Sequence, residues 1–428
     1  MGTIAPMTAA DLEPSTGRRS IGRNFRLVWL SVLVSSTGDG MFVTAFPLLA
    51  VLLTRDPRLI AGVTIALRLP WLVMSMFTGA IADRFNRRRL MIIADVGRLV
   101  VVGVLGVAVL ADAANIWMLY VCAFLLTTGD TLHVNAAQAL LPAIVQQRDL
   151  LQANARFGSA QIVSAQFVGP PLGVAAFGAA ASAPFLADAV SFAGSAALVA
   201  SLPDVPAPER AASRVRDDLL EGIRFTWRSK AFRRIAGPLA VGNFFFFAAT
   251  SLLVLYTDDH LGAGEVVYSL LFIGSAVGTV CARFMVSPLV RRFGEVNTMV
   301  IPLWLWSLPM LGMAATRSPV IAIAMYFFIG LGTGLWIATN TTVRQRITPP
   351  ALLGRMNAVY RTVSWGVVPF GAAFGGFVAH EWGLLAPFVI AGVACTPLAV
   401  FGRRILAPVG EAPAWDAVPS VSPVVGTA

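Results

Sequence analysis

The chain has 428 residues, of which 57% are hydrophobic and only 13% charged, with a mean hydropathy of +0.75. So few charges cannot clothe a soluble fold of this size, and the long continuous apolar runs exclude a spanning β-barrel, so composition implies a polytopic helical membrane protein. The net charge of +10 does not point to nucleic acid, because the positive residues fall in alternate loops.

A bilayer span needs about 20 apolar residues. Breaks at charged or Pro/Gly-rich points yield twelve candidate spans, near 25–53, 59–82, 90–110, 115–136, 156–181, 184–202, 236–257, 265–288, 295–314, 318–340, 356–379 and 384–403. Residues 1–24 hold Asp11 and Glu13 and no long apolar core, so they read as an N-terminal tail rather than a cleavable signal. The organisation predicted is a six-helix bundle over 25–202, a linker over 203–235, a second six-helix bundle over 236–404 and a disordered tail over 405–428. Within the linker, Asp217 to Arg234 places Leu220, Ile223 and Trp227 on one helical face among arginines, as an amphipathic helix on the inner membrane surface does, the alternative being a solvated linker helix without lipid contact. The tail carries Pro408, Pro413, Pro419 and Pro423 without a helical period.

Between the second and third spans lies Gly79 to Leu90, reading GAIADRFNRRRL. Asp83, Arg84, Arg87, Arg88 and Arg89 crowd one membrane edge there, and short Arg-rich loops stay in the cytoplasm. Arg23, Arg148, Arg291, Arg292, Arg344, Arg346, Arg403 and Arg404 share that side in a twelve-span count. Asp56, Asp112, Asp258, Asp259, Glu265 and Glu381 take the other, which places both termini in the cytoplasm.

Internal repeats support two halves. At an offset of 203, Ala153-Asn154 falls on Met356-Asn357 and Gly173 on Gly376. Ser36-Thr37-Gly38-Asp39 is echoed by Thr127-Thr128-Gly129-Asp130, as an inverted repeat within the first half requires.

Charges inside apolar spans mark functional sites, since each costs about 2.5–3.5 kcal/mol to insert. Counting helical rise, Asp39 lies about 20 Å from the inner face and Arg68 about 14 Å from the outer one. These two are expected to pair at mid-membrane and, with Asp130, to handle protons. The same count puts Asp95, Arg98 and Asp130 about 8 to 12 Å from the inner face, with His133 one turn away. With Gly79, Asp83, Arg84, Arg87 and Arg88, the residues Asp95 and Arg98 are expected to form a conformational latch. Packing of Asp39 in its Gly38/Gly40 notch and a local i,i+3 pair of Asp95 with Arg98 are the structural alternatives. Asp188 reads as interfacial. Gly169, Pro170, Pro171 and Gly173 remove backbone donors and mark a hinge. The second half has Gly242 and Thr333 where the offset places Asp39 and Asp130; it offers Asn243, Phe246, Trp336, Asn340, Tyr360 and Trp365 as a substrate cavity.

The pattern Gly-x-x-x-Asp-Arg-x-x-Arg-Arg at Gly79 to Arg88 resembles the loop signature of the major facilitator superfamily. Gly38-Asp39-Gly40, that loop, Leu141-Pro142 through Leu150 to Asn154, and Gly354-Arg355-Met356-Asn357 resemble the branch holding enterobactin exporters and macrolide efflux proteins. Gly169-Pro170 resembles the Gly-Pro element of the superfamily's antiporters, with Pro171 and Val174 as departures. The resemblance implies an all-α fold of twelve transmembrane helices in two pseudo-symmetric bundles, and proton-driven efflux of a small, partly hydrophobic molecule across a bacterial inner membrane. Uptake by proton symport is the alternative. Protons, a small-molecule substrate and the lipid bilayer are the partners implied, and nothing requires more than a monomer. Cys122, Cys281 and Cys395 lie far apart in apolar runs, so neither a metal site nor a cofactor is expected. There is no HExxH or P-loop, and Asp39 and Asp130 are placed at different depths, which argues against an intramembrane protease; no folded soluble domain suggests a receptor.

Overall fold

Short polar residues set where helices begin. Asp56, Asn86, Asn115 and Ser229 each accept a hydrogen bond from a backbone N–H two or three residues on, satisfying a donor that a first turn leaves free. The computed structural model describes residues 22–74, 77, 78, 81, 85–203, 229–349 and 353–410. In it the helices group into twelve rods. The first half holds α1 (Arg23–Leu53), α2 (Pro57–Val73), α3 (Arg87–Leu110), α4 (Ile116–Ile144), α5 (Leu150–Ile162, continued by a π turn at Val163–Val168 and by Gly169–Ala179) and α6 (Ala183–Ala200). The second holds α7 (Lys230–Thr250, then Leu253–His260 after a 46° bend), α8 (Gly264–Phe293), α9 (Glu295–Ala315), α10 (Pro319–Ile347), α11 (Leu353–Trp365 and Val368–Trp382) and α12 (Ala386–Val400 and Gly402–Gly410).

Eight of these helices are long and apolar enough to cross a bilayer, and ten are when each of the bent pairs in α7 and α12 is one span. Helices α2 and α4 take the places of the second and fourth predicted spans, so the described helices are consistent with twelve. Several boundaries need correction. Helix α4 runs to Ile144 rather than 136, because Ala136, Ala137, Leu140 and Leu141 continue a buried face past its polar residues. Helix α7 starts at Lys230, inside the predicted linker, since Ser229 caps it and Phe232 and Ile235 are buried. The predicted tail at 405–428 begins with helix as far as Gly410: Leu406 and Val409 pack into the second half, and Arg346 Nη2 donates to the Val409 carbonyl at 3.4 Å. The amphipathic stretch before Ser229 and the rest of both tails lie outside the described residues.

The halves meet chiefly through two helix pairs, α2 with α11 and α5 with α8, and α1 also touches α7 at Leu253–Leu255. The 203-residue offset converts one pair into the other, as a twofold pseudo-axis demands. Irregular stretches in α5 and α11 obey the same relation, the π turn starting at Val163 and the break falling at Gly366. Close approach within each half relies on missing side chains. A Cβ on Gly40 of α1 would sit 2.8 Å from both the Ala165 carbonyl and Gly169 Cα of α5, while Gly375 of α11 abuts the Ala248 backbone of α7. The predicted hinge residues Gly169 and Gly173 thus lie directly against α1.

The cores show how the halves are disposed. One apolar core combines Phe46, Ile60 and Phe185 with Leu253, Tyr256 and Phe388, so it is shared by both halves at the end carrying Asp56 and Asp258. At the end carrying Arg23 and Arg344, each half has its own: Phe25, Met91 and Leu140 in the first, Phe232, Met299 and Trp336 in the second. The halves therefore close on each other at one end, and among the described residues they share no core at the arginine-bearing end. Charge bridges the closed end, where Arg55 Nη1 lies 2.5 Å from Asp258 and 3.1 Å from Asp259, and Asp56 lies 3.7 Å from His380. Arg55 and Asp258 are themselves equivalents at the offset of 203, which is how two symmetry-related positions can meet near the axis.

Two outcomes follow for stability. Gly169→Leu drives a side chain into the α1 backbone and lowers stability by about 1–3 kcal/mol, whereas Gly97→Leu, facing open space, leaves it unchanged; thermal unfolding of the purified protein measures both. The hydrogen bond from Arg58 holds the Asp56 carboxyl below its ordinary range. A group lowered in this way stabilises the fold above its unfolded pKa and ceases to as pH falls through the folded value. Asp56→Asn keeps the cap but loses the charge, so it is less stable than the parent at neutral pH by under about 1 kcal/mol, and the two melting curves converge in acid.

Candidate functional site

Helical spacing puts Asp95 and Arg98 on one face of α3, buried against α1, α4 and α6. Arg98 is 1% exposed, so its charge depends on partners within the fold, and these gather on its terminal nitrogens, Nε being buried without one. Its Nη2 donates to Asp95 Oδ1 at 2.5 Å and to Ser35 Oγ at 3.1 Å, and its Nη1 donates to Asp39 Oδ1 at 3.3 Å and lies 3.9 Å from Asp130 Oδ1. Its flat face covers the Phe192 ring, with Cζ 4.2 Å from the centroid. Asp95 accepts from Ser195 Oγ of α6 at 2.7 Å, and His133 Nδ1 of α4 lies 2.9 Å from its other oxygen without the alignment of a hydrogen bond. Asp188 accepts from Ser191 at 2.9 Å, leaves Oδ2 buried without a partner, and packs against the bare backbone of Gly38.

One guanidinium and one imidazole thus face four carboxyl groups. Asp95 and Asp188 are sealed, whereas the side chains of Asp39 and Asp130 keep 16% and 21% of their surface exposed.

This geometry corrects several expectations. Asp39 pairs with Arg98, not Arg68, and the two charge clusters expected at separate depths are one. Depth was miscounted because α4 continues two turns beyond its predicted end and α3 begins at Arg87 rather than residue 90, moving Asp130 and Arg98 toward mid-span. Asp39 and Asp130 therefore sit at one level after all, but with Arg98 Nη1 in contact with both they are not a bare acid dyad. Asp188 is buried in the cluster rather than interfacial. Its polar neighbours Ser191 and Ser195 share its face of α6 at spacings of three and seven, a signal present in the sequence. Arg68 instead stacks on Phe247.

Among the described residues, Asp95 and Arg98 pair with residues of the first half, and charge between the halves is carried at the opposite end by Arg55 with Asp258 and Asp259 and by Asp56 with His380. Arg88 donates to the Val199 and Ala200 carbonyls at the end of α6, and Arg87 lies at the start of α3. Gly79, Asp83 and Arg84 lie outside the described residues. In the second half, Trp336, Asn340 and Tyr360 are buried in the core instead of lining a cavity. Asn340 donates to the Tyr360 hydroxyl, and Arg344 covers the Tyr360 ring. Asn243 ties α7 to α11 by donating to the Ser364 carbonyl at 2.6 Å, Phe246 packs on the shared core, and Trp365 is 49% exposed. An apolar groove of about 440 Å³ between Gly62, Ile65 and Leu69 of α2 and Tyr120, Phe124 and Leu125 of α4 holds none of the charged residues.

Among known proteins, the chain is 27% identical over 378 residues to the multidrug efflux pump Tap of Mycolicibacterium fortuitum, covering 85% of this chain and 91% of that one. It is 24% identical over 421 residues to the enterobactin exporter EntS of Citrobacter koseri, covering 90% and 92%. Its fold is similar to that of a mutant of the nucleoside transporter NupG, with a TM-score of 0.72 at 12% identity over 90% of this chain and 100% of the other. A bacterial homologue of the iron transporter ferroportin, in an inward-facing state, aligns with a TM-score of 0.68 at 14% identity over 89% and 100%. The model of the transmembrane secretion effector family matches residues 21–423, and with the membrane-spanning fold described above it places the chain in that family of major facilitator transporters.

Proposed function

We propose that the chain exports a small, partly hydrophobic molecule by proton antiport, its two halves rocking to expose a central site to either side in turn. The observation that carries this reading is the cluster around Arg98. Two partly exposed acids, Asp39 and Asp130, share one guanidinium whose remaining partners are sealed inside the first half. A proton arriving on either acid weakens its hold on Arg98, and in a low-dielectric site that change is strong enough to bias helix positions. With the arginine-bearing end in the cytoplasm, as loop charge favours, that end takes substrate from inside, both termini are cytoplasmic and the membrane is the bacterial inner one. Efflux is also what the names of Tap and EntS state for those relatives. Among the fold's proposed partners, protons act in the first half and substrate contacts both, in a protein that works as a monomer.

Everted membrane vesicles with an imposed inside-acid gradient test direction and coupling. Export predicts that substrate accumulates inside them and that the gradient dissipates; accumulation only in right-side-out vesicles would replace export with symport. Asp39→Asn, near in shape but unable to release a proton, reduces gradient-driven accumulation to the passive level while leaving counterflow of labelled substrate intact. Full coupling in that variant would remove Asp39 from the proton path. Arg98→Gln leaves its acids without their shared cation and lowers thermal stability by about 3–5 kcal/mol; Arg98→Gln combined with Asp95→Asn recovers part of that loss.

A further inference from the structure

Five side chains, joined by three ring contacts and by their spacing on α2 and α11, form a circuit where the halves face each other. The Arg68 guanidinium of α2 lies over the Phe247 ring of α7, with Cζ 5.5 Å from the centroid. Phe247 packs against Trp365 of α11 at a centroid distance of 6.1 Å. Arg361, one turn before Trp365, lies over the Trp71 ring of α2 at 5.4 Å, and Trp71 is one turn beyond Arg68. Each cation is therefore stacked on a ring of the opposite half.

Stacking occupies the flat face of a guanidinium and leaves its in-plane N–H donors free at the edge. Among the described residues, neither Arg68 nor Arg361 has a carboxylate within ion-pair distance or a hydrogen-bond acceptor. Asp130, whose charge reaches Arg68, lies 3.9 Å from Arg98. Arg361 and Trp365 are exposed, and Arg68 is partly so. Two cations without acid partners among the described residues, framed by three rings at the seam of a transporter, offer free edge donors to a ligand.

We infer that this circuit recognises an amphipathic aromatic anion, whose carboxylate, sulfonate or phosphate takes the edge donors of Arg68 and Arg361 while its ring lies against Trp365 and Phe247. The inference rests on the export reading and adds its substrate class. Because the cations come from different halves, rocking of α2 against α11 alters their spacing, which ties binding to the position of the halves. The phosphate of an anionic lipid has the same chemistry, and the test separates the two.

The full-length protein in nanodiscs of zwitterionic lipid is dialysed against naphthalene sulfonate and, separately, naphthylmethylammonium, which share a ring and differ in charge. The sulfonate is expected to bind at least about tenfold more tightly. Arg68→Gln and Arg361→Gln each weaken it about tenfold, and Arg68→Lys weakens it less because the charge persists without the planar fork. The comparison of probes on the unaltered protein needs no variant to fold. Equal binding of the two probes, unchanged binding in both Gln variants, or displacement of the sulfonate by phosphatidylglycerol added to the nanodiscs would overturn the assignment. Binding is read without a gradient, so it survives if the direction of transport is wrong. Loss of gradient-driven transport in Asp39→Asn without sulfonate binding by the parent would defeat this inference alone.

Discussion

A single guanidinium, Arg98, organises the interior of the first half. Desolvating such a group must be offset by partners, and these come from α1, α3, α4 and α6 at once: Asp39, Asp95, Asp130 and Ser35 face its two terminal nitrogens and Phe192 lies beneath its plane, while Nε is buried without a hydrogen bond. Four helices are thereby held at fixed rotations. The same demand explains small residues nearby, since the Arg98 stem passes where a side chain at Gly129 would stand and the Asp188 carboxyl occupies the space above Gly38. Packing around this cluster thus answers to one buried charge.

The halves meet through a different physical device. A shared apolar core with an exposed charge bridge closes one end, while at the other end the described residues form separate cores. Exposed ion pairs contribute little individually, so the closed end depends chiefly on burial of residues such as Phe46, Tyr256 and Phe388. In the cycle proposed above, rocking must exchange this burial for comparable contacts at the arginine-bearing end, and the α2 with α11 and α5 with α8 pairs are the surfaces on which it turns. Close glycine contacts between α1 and α5, and between α7 and α11, keep each half rigid enough to move as a body.

Division of labour between the halves follows from what each lacks. Gly242 and Thr333 stand where the second half would need its acids, and that half is instead held by Trp336, Asn340, Tyr360 and Arg344 packed in its core. Its contributions at the seam, Phe247, Arg361 and Trp365, are paired with Arg68 and Trp71 of the first half. Under the proposed mechanism protons load one half and cargo bridges both, so substrate and protonation communicate through the relative position of the halves rather than by direct contact.

The membrane-spanning helical character, the twofold repeat and the family were all legible in the chain itself, because hydropathy, loop charge and the 203-residue offset are local or periodic quantities. The candidate acids were legible as well, since Asp39, Asp95 and Asp130 stand out in apolar surroundings whatever their neighbours. Partner choice was not. Depth counting depends on where each helix ends, and Ile144 and Arg87 end theirs beyond the polar residues that composition treats as boundaries, which turned an expected Asp39 with Arg68 pair into Asp39 with Arg98. Nor does composition distinguish a cavity wall from a core: Trp336 and Tyr360 are buried and Trp365 is exposed because helix rotation, set by contacts between segments far apart in the chain, decides which face meets the seam. Residue type and spacing determined which groups carry charge through the membrane; only packing of the halves decided which of them touch, since a long-range contact has no periodicity from which to read it.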